Sequence, residues 1–109
     1  MKIYREFHGN IEVKNVGKRL REICKTEKMF KIMTGYGSVS GSSKCKNAAL
    51  KSLSKMKIEG VVKGYFPGEI KNMLLDSNSI YYEDKLIFNN IVKNDPDYGN
   101  DGIIFVFVK

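Results

Sequence analysis

Six consecutive apolar residues near the end of the chain, Ile103, Ile104, Phe105, Val106, Phe107 and Val108, set the strongest constraint on the fold. Successive side chains of a strand point to opposite faces of the sheet. A run without polar alternation therefore needs a central position or cover on both faces. The run is far too short to span a bilayer. A dense turn cluster over residues 94–102, rich in Asn, Asp, Gly and Pro, leads into it.

The preceding chain supplies elements to pack around this strand. Residues 2–8 alternate, with Ile3, Arg5 and Phe7 against Tyr4, Glu6 and His8, which predicts a short strand broken by Gly9 and Asn10. Over 11–25, Val13, Val16, Leu20, Ile23 and Cys24 recur at helical spacing, with Lys14, Lys18, Arg21 and Glu22 on the other side. Gly17 weakens that helix by roughly 1 kcal/mol relative to Ala and marks a close packing contact. A second strand is expected at 29–33. A second helix follows at 43–57, with Cys45, Ala49, Leu53 and Met56 on one stripe and Gly60 at its end. A third strand at 61–66 stops at Pro67 and Gly68. Strand, helix, strand, helix, strand calls for crossovers of one hand and a sheet with helices packed on it. Beyond Pro67 a short helix is expected at 69–75 and a loop at 76–79, while 80–92 suits strand and helix equally. The 109 residues are expected to form one domain, with an extended connection at about 67–101.

An apolar fraction of 42% and a charged fraction of 28% are those of a soluble globular domain. Cys24 and Cys45 form neither a disulfide framework nor a zinc motif. No secretory signal is visible and no run is long enough for the membrane, so a cytoplasmic protein without a membrane partner is expected. Charge is uneven. Residues 1–66 hold 15 Lys/Arg against 5 Asp/Glu, and residues 67–109 hold 4 against 7. Such a balance favours polyanions, although lysine is also an ordinary surface residue.

Two stretches carry candidate chemistry. After the second strand, Thr34, Gly35, Tyr36, Gly37 and Ser38 lead through a Ser/Gly loop into a helix start bearing Lys44 and Lys46. Glycines let a ligand approach the main chain, and a helix start with adjacent lysines attracts anions. Ser40, Ser42 and Ser43 are N-cap candidates. An ordinary strand-to-helix turn has the same composition. The other stretch holds the sole histidine, His8, before Gly9. On a strand Glu6 projects to the same face as His8, and such a carboxylate holds an imidazole's tautomer. That pair suits general acid/base chemistry or a structural strand end, and lacks further ligands for a metal. In a parallel sheet the loops after the first and second strands emerge together, so His8 and residues 34–38 would share one rim.

Phe7-His8-Gly9 after a strand, with Met33-Thr34-Gly35-Tyr36-Gly37-Ser38 before a lysine-rich helix, resembles the Smr (small MutS-related) domain family. That family's first strand ends in Leu-Asp-x-His-Gly, and its second loop carries Thr-Gly-x-Gly. The resemblance covers about residues 2–66 and the closing strand at 102–109. It implies an α/β two-layer sandwich, a β-α-β-α-β core plus a closing β-strand, like the C-terminal domain of bacterial translation initiation factor three. It also implies RNA or DNA binding, with endonuclease activity in some members. His8 takes the place of the motif histidine, and Gly35 and Gly37 those of the loop glycines. Arg5-Glu6 stands where the family has Leu-Asp, Asn10 is an inserted residue, and 67–101 has no counterpart.

The leading expectation is thus a nucleic-acid-binding domain that cleaves phosphodiester bonds without a metal or other cofactor. His8 and Glu6 would be catalytic. Thr34, Gly35, Tyr36, Gly37, Ser38, Lys44 and Lys46 would hold phosphate. The alternatives are a binding module without chemistry and a small-molecule phosphate-binding enzyme. Tyr36 suits base stacking or a cover over the glycines. Cys45 and Cys24 read as core residues by their spacing. Asp95, Asp97 and Asp101 lack a calcium loop and read as turn residues.

Overall fold

The computed structural model describes residues 1–34 and 42–109, with Ser42 and Ser43 placed in a helix by their backbone alone. Strands β1 (Lys2–Tyr4), β2 (Met29–Met33), β3 (Val62–Pro67) and β4 (Ile103–Val108) alternate with helices α1 (Val16–Cys24), α2 (Ser42–Ile58) and α3 (Tyr82–Val92). Short 3-10 turns at Val13–Asn15 and Gly68–Asn72 precede α1 and follow β3. The strands form one mixed sheet ordered β1-β2-β4-β3. β1 runs parallel to β2, and β4 runs antiparallel to both β2 and β3. The chain is therefore an α/β fold, and none of its described helices is long and apolar enough to cross a membrane.

β4 is central and buried along its length. Ile104, Val106 and Val108 join Phe30, Ile32, Leu20 and Leu53 in a core beneath α1 and α2. Ile103, Phe105 and Phe107 face the opposite way, into a second core with Phe66, Ile70, Phe88 and Val92. The unbroken apolar run thus has the double cover that it demands. The second cover is the connection expected at about 67–101, for which the resembled family offers no counterpart. It adds a partial third layer to the expected sandwich.

Local chemistry accounts for the joints. Gly60, at φ +83°, ends α2: its N–H donates to Lys57 O at 3.1 Å, and the Val61 N–H donates to Met56 O at 2.9 Å. This is the paired bonding of a Schellman cap. A bulge between Val62 and Gly64 lets Val62 and Tyr65, three apart, share one core. Gly17 brings α1 onto α2, where a β-carbon would meet Ser52 Oγ at 2.9 Å.

α3 crosses β3 at Gly64. The Phe88 ring stacks on Phe107 with centroids 4.0 Å apart. The buried Asp84 carboxylate accepts from Tyr65 N–H at 3.2 Å and from Lys57 Nζ at 3.0 Å. An edge strand offers open N–H groups to other chains, and here a side chain occupies one of them. Region 80–92, open between strand and helix in the sequence, is therefore helical from Tyr82. The expected helix at 69–75 is the 3-10 turn Gly68–Asn72.

Candidate functional site

The strand expected over 2–8 ends at Tyr4. His8 N–H donates to Arg5 O at 3.0 Å and Asn10 N–H to Glu6 O at 3.1 Å, closing a tight turn with Gly9 at φ +89°. Tyr4 and Phe7 both enter the same core. Residues three apart on one strand would point to opposite faces, so burying both requires the turn. Glu6 and His8 consequently do not share a strand face, and that pairing is corrected. Glu6 lies instead against Arg19, with its carboxylate 2.8 Å from Nε and 3.4 Å from Nη2. The hydrogen bond that Arg19 donates to Glu6 raises the Arg19 pKa further, and the guanidinium also stands 5.7 Å from the Tyr4 ring centroid.

Parallel pairing of β1 with β2 aligns Tyr4 with Ile32. The turn after β1 and the end of β2 therefore open at the same edge of the sheet. There a cavity of about 320 Å³ is lined by His8, Gly9, Thr34 and Lys44 together with Phe7 and Cys45. Phe7 and Cys45 are buried, whereas His8, Gly9 and Lys44 are exposed. The Cys45 thiol donates to Phe7 O at 2.9 Å, tying the start of α2 to the His8 turn. Thr34 is buried; its N–H and hydroxyl both donate to Gly102 O, at 2.8 and 3.3 Å.

Of the residues singled out in the sequence, His8, Thr34 and Lys44 thus come together. Glu6 is engaged by Arg19. Lys46 is buried and ion-paired with Glu69 of the connection, which takes its charge away from the cavity. Gly35, Tyr36, Gly37 and Ser38 lie outside the described residues, as do Ser40 and the side chains of Ser42 and Ser43.

Burial raises the thiol pKa of both cysteines, that of Cys24 to about 11. Neither is a ready nucleophile at neutral pH, in keeping with the core assignment. Lys31 Nζ lies 2.8 Å from both Asp95 and Asp97, and Asp95 Oδ1 also accepts the Asp97 N–H. These carboxylates close a turn around a buried ammonium. The second-core contacts and the Arg19–Glu6 and Lys31–Asp95 pairs were beyond sequence reasoning. The only local signal was an acid and a base of unassigned partner in each case.

The charge asymmetry of the sequence acquires a structural meaning here. Lys31, Lys46 and Lys57 of the basic segment pair with Asp95, Asp97, Glu69 and Asp84 of the acidic one. Part of the basic excess fastens the connection to the core. Compared with known proteins, the chain matches no family model, no curated protein and no solved structure.

Proposed function

We propose that the chain is a nucleic-acid-binding domain of the Smr type, with the initiation-factor-like fold this implies, and that His8 cleaves RNA by phosphodiester transfer. The convergence of His8, Gly9, Thr34 and Lys44 on one cavity at the shared end of β1 and β2 carries the reading. An imidazole changes charge near neutral pH. In the step proposed, His8 takes the proton of a ribose 2′-hydroxyl as its oxygen attacks the adjacent phosphorus. The bond to the 5′-oxygen breaks, and the imidazolium returns the proton to that leaving oxygen. A cyclic phosphate and a free 5′-hydroxyl result. Such acid/base assistance is worth typically ~10²–10⁴ in rate. Lys44 supplies positive charge to the phosphate oxygens. The step needs no metal ion.

One observation favours a second reading, a binding module without chemistry. Glu6, the family's expected partner for the histidine, is held by Arg19. A direct assay separates the two. The purified chain is incubated with single-stranded RNA, single-stranded DNA and duplex DNA, with and without a chelator. The first reading expects chelator-resistant cleavage of RNA alone, ending in a cyclic phosphate. Salt-sensitive binding with intact RNA supports the second. Absence of polyanion binding together with tight, salt-insensitive mononucleotide binding overturns both.

A further inference from the structure

We propose that the groove between α1 and α2 is a track for the phosphate backbone of single-stranded nucleic acid running on from the His8 cavity. The inference rests on the reading of that cavity as a nucleic-acid site and extends it to a second surface. The groove has a volume of about 560 Å³ and is lined by Lys18, Arg21, Lys25 and Lys55, with Glu22 the sole acid among these lining residues. Arg21 is bonded to Glu59 at 2.7 Å. Lys18, Lys25 and Lys55 are exposed and form no ion pair among the described residues. Lys55 also acts on the Glu59 carboxylate, whose pKa it helps the Arg21 hydrogen bond to lower, and the three ammonium groups around one concavity are complementary to a chain of phosphates.

Among the described residues, the lining contains no aromatic ring. Contact there is therefore with the backbone, which positions a strand without reading its sequence. The close approach of Gly17 to Ser52 forms the seam between the helices. The track continues the strand that the His8 cavity would cleave, so its occupant is single-stranded.

Placement joins this groove to the cavity. Lys44, at the start of α2, lines the cavity, and Lys55, on the same helix, lines the groove. Eleven residues of α-helix span about 16 Å, a run of a few nucleotides. The opposite side of the sheet bears the acidic connection, whose carboxylates already neutralise Lys31, Lys46 and Lys57. The unpaired lysines of the groove are thus on the helical side, and a polyanion is steered there.

The test uses the full chain and its variants in fluorescence anisotropy, with labelled single-stranded oligonucleotides of about 4 and about 12 nucleotides. In Lys18→Gln/Lys25→Gln/Lys55→Gln, the longer oligonucleotide should bind at least about tenfold more weakly, with a log–log salt slope shallower by about 2. Binding of the shorter one should stay within about twofold, because the cavity retains it. Lys44→Gln tests the cavity separately and should weaken both lengths. Unchanged affinity and slope for the longer oligonucleotide in the triple variant would overturn the track. Loss in the triple variant with no effect of Lys44→Gln would keep the groove as a polyanion surface and overturn its continuity with the cavity. A parent that binds neither length overturns both. All three substitutions are at exposed positions, where stability changes of more than about 0.5 kcal/mol are not expected, and unfolding midpoints confirm that each variant is folded.

Discussion

Gly64→Ala should be among the most damaging single-methyl additions to this protein. A β-carbon there would stand 2.4 Å from Phe88 Cε2 and 3.1 Å from Asp84 Cγ. Non-bonded carbons rest at about 3.5–4.0 Å, so the Phe88 ring must retreat by about 1 Å or more. It is held face to face on Phe107, with planes 5° apart. The movement left is for α3 to lift from the sheet. Lifting stretches the Tyr65 N–H to Asp84 bond at 3.2 Å and the Lys57 pair at 3.0 Å. Overpacking costs about 1–3 kcal/mol, and weakening a bond to a buried carboxylate adds up to about 1.5–3 kcal/mol. Alanine's lower unfolded-state entropy returns roughly 0.5–1 kcal/mol. The net loss is about 2–4 kcal/mol, and at an unfolding entropy near 2.1 cal/mol/K per residue Tm falls by about 9–17 °C. Urea unfolding followed by circular dichroism measures it. Phe88→Leu in the same chain relieves the clash, so a double-mutant cycle should show a coupling of about 1 kcal/mol or more. A Gly64→Ala variant within about 0.5 kcal/mol of the parent, with additive effects, would refute the proposed crossing of α3 over β3.

Two further perturbations probe the ion pairs and the buried phenols. Lys31→Met leaves Asp95 and Asp97 without their cation. Breaking a buried pair costs about 3–5 kcal/mol, and partial exposure of the two acids, 13% and 27%, lowers the expectation to roughly 2–3 kcal/mol by urea midpoint. Adding Asp95→Asn and Asp97→Asn should recover part of it, and no loss in Lys31→Met would contradict the clamp. Burial, chiefly, pushes the phenol pKa of Tyr4 and of Tyr81 up to about 12, with the Glu27 hydrogen bond second for Tyr4. The folded chain then keeps protons that the unfolded chain sheds above about pH 10. Stability should be full below that pH and fall as pH rises towards about 12. Ultraviolet titration of phenolate should show Tyr4 and Tyr81 ionising late, with Tyr98 also above the ordinary value through burial, and uniform titration near the ordinary value would oppose their burial.

Elements whose packing repeats with a fixed period were legible in the residues. β4 declared its double burial through an apolar side chain at every position. α2 declared its buried stripe through Cys45, Ala49, Leu53 and Met56, and its stop through Gly60. The end of β1 was not legible, because alternation continues to His8 while pairing with β2 covers only Lys2 to Tyr4. α3 was ambiguous for a different reason. Leu86, Ile87 and Ile91 are exposed, and the buried Asp84 is polar, so neither period emerges cleanly. At the candidate site, adjacency of the His8 turn and Thr34 followed from strand order. The partners of Glu6 and Lys46 did not, since Arg19 and Glu69 are brought to them by tertiary packing.

His8→Ala provides the most direct test of the central claim, assayed side by side for binding and for cleavage of single-stranded RNA. His8 is exposed and outside both cores, so the variant should fold with an unchanged unfolding midpoint. Cleavage should fall by about 10²-fold or more while affinity stays within a few-fold of the parent. An alanine variant that cleaves RNA as fast as the parent would contradict the assignment of the proton transfer to this imidazole.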